Sequence, residues 1–132
     1  MFEGKALAAA GGSIVIMNRL ANVNGSAIQQ AHVSAITYTV YQVDPNDVLE
    51  AVTGHEDEAL DVEAVIFDTL QTDAPWDTSE DANGYNFRHT IDVSEADAFP
   101  YWGRRYMVVY RVDLVSGPPI VWRWIVRTPA AS

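Results

Sequence analysis

Apolar and polar residues alternate with a period of two through the last quarter of the chain. Over 105–115, Tyr106, Val108, Tyr110, Val112 and Leu114 share one side, with Arg105, Arg111 and Asp113 on the other. Over 120–127, Ile120, Trp122, Trp124 and Val126 share a side opposite Arg123 and Arg127. Successive side chains of a strand point to opposite faces, so these segments predict a hairpin with one buried and one wetter face. Its hinge is Ser116-Gly117-Pro118-Pro119.

The same alternation marks Val33–Val43, where Ile36, Tyr38 and Val40 oppose Thr37 and Thr39, and 85–93, where Tyr85, Phe87, His89 and Ile91 share a side. Segment 13–20 is strand-like after the breaker Gly11-Gly12, 48–52 suits a short strand, and 6–10 suits an edge strand or an ordered arm. Asn22-Val23-Asn24-Gly25 predicts a turn, because Asn-Gly tolerates positive φ. Asp44-Pro45-Asn46-Asp47 ends the strand before it, since Pro cannot donate to a ladder. Loops are expected at 54–57, 77–84 and 94–103.

Only 61–70 is ambiguous. Val62, Val65, Ile66 and Leu70 fit helical spacing behind an Asp61 cap, and they also fit an irregular crossover closed by Pro75-Trp76. A crossover containing one turn of helix is the expectation. About seven short strands and at most one short helix predict an all-β fold. Its expected form is a two-sheet antiparallel sandwich of immunoglobulin-like type, with a small barrel as the alternative. Strand–helix alternation, the mark of a parallel α/β sheet, is missing. The 132 residues suit one domain, with 1–12 as a possible N-terminal arm.

Charge changes the picture more than composition does. The net charge is −10, but its distribution is uneven. From Asp44 to Asp97 there are 16 acidic residues and one base, Arg88, a balance of −15; from Ala98 onward there are five Arg and one Asp, a balance of +4. Such asymmetry bears on association and orientation. An acidic domain lacks the basic footprint of nucleic-acid binding, so no nucleic-acid partner is expected. No apolar run approaches the roughly 20 residues of a membrane helix, and no membrane partner is expected. The opening Met1-Phe2-Glu3-Gly4-Lys5 lacks the features of a secretion signal, so export inside an assembled particle is the expected alternative.

Candidate chemistry is sparse. Without Cys there is neither a disulfide framework nor a thiolate, and no Gly-x-Ser-x-Gly elbow is present. His32 precedes a strand, His55 sits in the acidic loop His55-Glu56-Asp57-Glu58, expected to be solvated, and His89 is expected to be partly buried and hydrogen-bonded. No enzymatic activity and no cofactor are expected. Asp77, Ser79, Asp81 and Asn83 put oxygens on alternate residues of a loop, which a hard cation such as calcium accepts; a solvated turn is the plainer expectation. Trp76, Tyr101 and Trp102 fall in expected loops and are candidate stacking surfaces for a sugar.

Three stretches carry a family likeness. They are Ala31-x-Val33-x-x-Ile36-Thr37-Tyr38-Thr39-Val40-Tyr41, then Asp81-x-x-Gly84-Tyr85-x-Phe87, then Phe99-x-x-x-Gly103-x-x-Tyr106-x-Val108-x-Tyr110. Over 31–128 the chain resembles small immunoglobulin-like structural domains of tailed-phage virions, although the usual tight Gly-x-Tyr approach to the last hairpin is stretched here to Gly103-Arg104-Arg105-Tyr106. The resemblance implies a decoration, neck or baseplate component of a virion, in many copies, that contacts other virion proteins or copies of itself. Arg104, Arg105, Arg123 and Arg127 are then the expected contact residues, with Glu56, Asp57 and Glu58, or the Asp77 to Asp81 loop, as counterparts. Segment 6–10 is a second candidate contact. The competing expectation is an extracellular module that grips a glycan or host surface through Trp76, Tyr101 and Trp102.

Overall fold

The computed structural model describes residues 3–22 and 24–130. The described residues form nine strands, two more than the seven or so expected: β1 Glu3–Leu7, β2 Val15–Asn18, β3 Val33–Val43, β4 Leu49–Ala51, β5 Glu58–Leu60, β6 Ile66–Gln71, β7 Tyr85–Thr90, β8 Arg105–Leu114 and β9 Ile120–Arg127. They form two sheets. The larger runs β1-β9-β8-β3-β4, with β5 also on the edge of β3, and the smaller runs β2-β7-β6. The all-β immunoglobulin-like sandwich therefore stands: β3, β8 and β9 take the places of C, F and G, facing β2, β7 and β6 as B, E and D.

The hairpin and Val33–Val43 lie where the alternation puts them. Tyr38 pairs with Tyr110, and Tyr110 with Trp122, so three large side chains form one row across the inner face of the larger sheet. Tyr110 stacks on Trp122 with ring centroids 5.1 Å apart and planes 16° from parallel. Phe87 reaches from β7 to meet both edge-on, at 5.1 Å from Tyr110 and 5.0 Å from Trp122. Offset and edge-on contacts suit the ring quadrupoles and add to the area buried. All four of Phe87, Tyr106, Tyr110 and Trp122 are buried, and among the described residues no buried side-chain nitrogen or oxygen lacks a partner.

Several expectations need correcting. The N-terminal strand is Glu3–Leu7 rather than 6–10, and it runs parallel to β9. Gly4 makes that possible: a Cβ there would fall 2.5 Å from the Trp124 indole. The ambiguous 61–70 stretch does open on one helical turn, α1 Val62–Val65, capped by the Asp61 carboxylate accepting from the Glu63 amide at 3.2 Å. It then continues as a strand, β6, because Ile66 is claimed by Phe87 on β7. Strand β5 escaped the pattern, being only three residues long with Glu58 and Ala59 exposed. The turn ending at Gly25 is closed by its amide donating to the Asn22 carbonyl at 2.9 Å; Val23 within it lies outside the described residues.

Two locks hold the ends. Asn86, buried on β7, accepts from the Leu20 amide at 2.7 Å and donates to the Leu20 and Ile28 carbonyls at 2.9 Å each. At the other end the Tyr106 hydroxyl accepts from the Tyr101 amide at 3.0 Å, five residues upstream. A tyrosine at the start of strand F bonding back to upstream backbone is the tyrosine corner of immunoglobulin-like domains. The Gly103-Arg104-Arg105-Tyr106 stretch is its local sequence. Tyr106→Phe should therefore cost about 1–2 kcal/mol in urea-induced unfolding, by orphaning that amide in a part-buried corner. An unchanged midpoint would contradict this role.

Candidate functional site

The two buried histidines both bond to tyrosines of the aromatic row. The His55 Nε2 lies 2.8 Å from the Ala96 carbonyl, so that nitrogen carries the proton and donates; Nδ1 accepts from the Tyr38 hydroxyl at 2.7 Å. His55 is thus only 2% exposed, which corrects the expectation of a solvated loop: the turn carrying it wraps the edge of β3 and drives the ring inward. His89 Nδ1 sits 2.8 Å from the Tyr110 hydroxyl, in line with expectation. Burial, and then the neighbouring His55, lower the His89 pKa to about 4. Burial raises Tyr110 well above its ordinary value, and burial with the charges of Glu58 and Asp92 raises Tyr38 to about 12. His89, Tyr38 and Tyr110 are thus neutral at pH 7, and with His55 they close in on one another.

The candidate loops resolve differently. Asp77 Oδ1 accepts from the Ser79 amide at 2.9 Å and from its hydroxyl at 2.5 Å. Asp81 Oδ1 accepts from the Asn83 amide at 2.8 Å, while Oδ2 pairs with Arg19. Those bonds hold both carboxyls below the usual range, Asp77 chiefly through the Ser79 hydroxyl and Asp81 chiefly through the Asn83 amide. Among the described residues no group of three or more His, Asp or Glu is placed to hold a metal ion.

The three candidate aromatics are not neighbours. Trp76 donates from Nε1 to the Asp81 carbonyl at 2.8 Å, leans on Tyr85 with centroids 5.5 Å apart, and lines a groove beside Ile120 and Trp122. Tyr101 accepts through its carbonyl from Thr128, just past the opposite end of β9. The length of that strand, roughly 25 Å at 3.3 Å per residue, separates them. Tyr101 and Trp102 remain a pair, 57% and 46% exposed.

The four candidate arginines do come together. One register row on the outer face of the larger sheet reads Leu7, Arg127, Arg105, Val43, Leu49 across five strands. The next reads Lys5, Ile125, Met107, Tyr41, Ala51, and the third begins Glu3, Arg123. These rows floor a shallow basin of about 1020 Å³. A second hollow beside it, containing Arg104 and Thr128, shares Val43, Arg105 and Arg127 with the first. Arg105 pairs with Asp47, and Arg123 bonds Glu3 at 2.7 Å. Arg104, Arg127 and Lys5 have no ion pair among the described residues. Leu7, at 73% exposure, and Leu49, at 44%, stand at its two sides. An apolar floor with a rim in which cations outnumber the acids Glu3 and Asp47 is a docking face in composition, since apolar area supplies affinity and rim charge supplies orientation.

No protein-family model matches the chain, and neither a curated protein nor a solved structure matches it.

The buried histidine yields a pH test with a definite sign. His89 is held neutral in the folded state down to about pH 4, whereas an unfolded His takes its proton near pH 6.5. The unfolded state binds more protons across that window, so stability falls as pH drops from 6.5 to 4, by about 3 kcal/mol in all. Urea titrations across this range should show that loss, and His89→Gln should flatten it. A flat wild-type profile would contradict the closed interior.

Proposed function

We propose that this protein is a non-enzymatic structural component of a phage or phage-like particle, a decoration, neck or baseplate protein, that works through protein–protein contacts at the outer face of its larger sheet. The observation that carries the reading is the basin itself: Arg105, Arg123 and Arg127 share one sheet surface with Leu7, Met107 and Leu49, and Arg104 lines the adjoining hollow. The likeness of segments 31–41, 81–87 and 99–110 to virion immunoglobulin-like domains supplies the particle. The tightly filled interior supports the non-enzymatic part, because its His and Tyr groups are committed to one another.

The adjacent exposed rings of Tyr101 and Trp102 favour a second reading, an extracellular module for glycans or a host surface. Paired aromatic faces at a loop are a stacking surface for a sugar. Saturable quenching of tryptophan fluorescence by an oligosaccharide, lost in Trp102→Ala, would favour it over the structural role.

The structural role is tested with Arg104→Glu combined with Arg127→Glu. Neither arginine has an ion pair among the described residues, so the domain should keep its near-ultraviolet circular dichroism and its melting temperature. Particles purified from producing cells should contain the wild-type chain and lack the double variant. Normal incorporation of the variant, or absence of the wild type from particles, would overturn the proposal.

A further inference from the structure

The fold also gathers acids that are far apart in sequence. Because His55 donates to the Ala96 carbonyl, the turn 54–57 and the loop 91–97 lie against each other. Gly54 seals the contact: its φ is +90°, and a Cβ there would fall 2.7 Å from that of Ala96. Only glycine combines that backbone with that approach. The Asp57 amide then donates to the Thr39 hydroxyl at 2.9 Å, bending the turn around the edge of β3. As a result Glu56, Asp57, Glu58, Asp92, Glu95 and Asp97 all stand exposed on one wall beside the β5 edge. The charges of Glu58 and Asp92 are both felt at the Tyr38 phenol, which places the two acidic segments around one point. None of the six is in an ion pair among the described residues.

Wall and basin are complementary and cannot satisfy each other within one molecule. The basin spans the outer face from β1 to β4, at the Tyr41–Val43 end of β3, and none of the six acids lines it. The wall lies beside β5, further along β3 at Ile36–Tyr38. A rigid sheet keeps them apart, so each surface must find its complement on a different molecule. Resting on the structural reading above, we propose that the basin's occupant is the acidic wall of a second copy of this chain. The contact is head-to-tail: each subunit offers a wall to one neighbour and a basin to the other. Such heterologous contacts close into rings or extend into filaments, and they do not stop at a dimer.

The test is association of the full chain by sedimentation velocity at low and at high salt. Wild type should form species larger than a dimer that dissociate as salt screens the contact. The basin variant, Arg104→Glu with Arg127→Glu, and a wall variant, Glu56→Lys with Glu58→Lys, should each associate about tenfold or more weakly. Mixed in equal amounts they should associate again, since the intact wall of one meets the intact basin of the other. Near-ultraviolet circular dichroism verifies that each variant retains the aromatic core. Wild type that stays monomeric at every concentration and salt would overturn the proposal, as would single variants that still assemble or a mixture that stays monomeric. A monomeric wild type that still enters particles would sink only the second-copy partner. Wild type that assembles as described but never enters a particle would sink only the particle reading.

Discussion

The structure depends on the row Trp122, Tyr110 and Tyr38 across the larger sheet, and on what the smaller sheet sends to meet it. Phe87 crosses to the first two rings, His89 bonds the Tyr110 hydroxyl, and Asn18 on β2 accepts from both Trp122 and Trp124 at 2.9 and 3.0 Å. Large rings bring apolar area, but each brings a polar atom that must find a partner once water is excluded. Here every such partner comes from across the sandwich or from its edge. The polar bonds therefore fix the separation and register of the sheets, while the rings fill the space between them.

That arrangement determines where function can reside. In this core both histidines are hydrogen-bonded to phenols and His89 is held neutral, so these groups are committed to one another. What remains is surface, and the surface is sorted by charge. The sequence splits into an acidic middle and a basic end, and the fold turns that linear split into two separate faces. Strands β8 and β9 carry the arginines onto the outer face beside β1, whereas the turn at His55 and the loop at Ala96 collect carboxylates at the far edge. Interior and exterior meet in His55, since the bonds that satisfy the Tyr38 hydroxyl also assemble the acidic wall.

Much of the fold was legible because period-two alternation survives wherever a strand is long and one face is buried. The hairpin and Val33–Val43 meet both conditions, and their boundaries match within a residue. Short edge strands meet neither, so β5 and the parallel β1 carried little signal: Gly4 reads as a breaker until Trp124 is seen lying against it. Segment 61–70 read as a crossover with one turn of helix because Val62, Val65, Ile66 and Leu70 also fit helical spacing; the turn is there, and pairing with β7 makes a strand from Ile66 onward. The arginine cluster was readable from the outward-facing positions of the last hairpin. The burial of His55 was not, because its partners Tyr38 and Ala96 lie 17 and 41 residues away and the residues that follow it, Glu56-Asp57-Glu58, are all acidic. The separation of Trp76 from Tyr101 was equally hidden, being set by which end of β9 each loop reaches.

The most direct test of a closed, self-satisfied interior is nuclear magnetic resonance of the histidine ring nitrogens and tyrosine hydroxyl protons near neutral pH. The account predicts a His55 whose Nε2 proton is held by the Ala96 carbonyl, a neutral His89, and hydroxyl protons on Tyr38 and Tyr110 that exchange slowly enough with water to be observed. Rapidly exchanging hydroxyls, with a His89 that titrates like a free imidazole, would show water standing among these rings and would contradict the account.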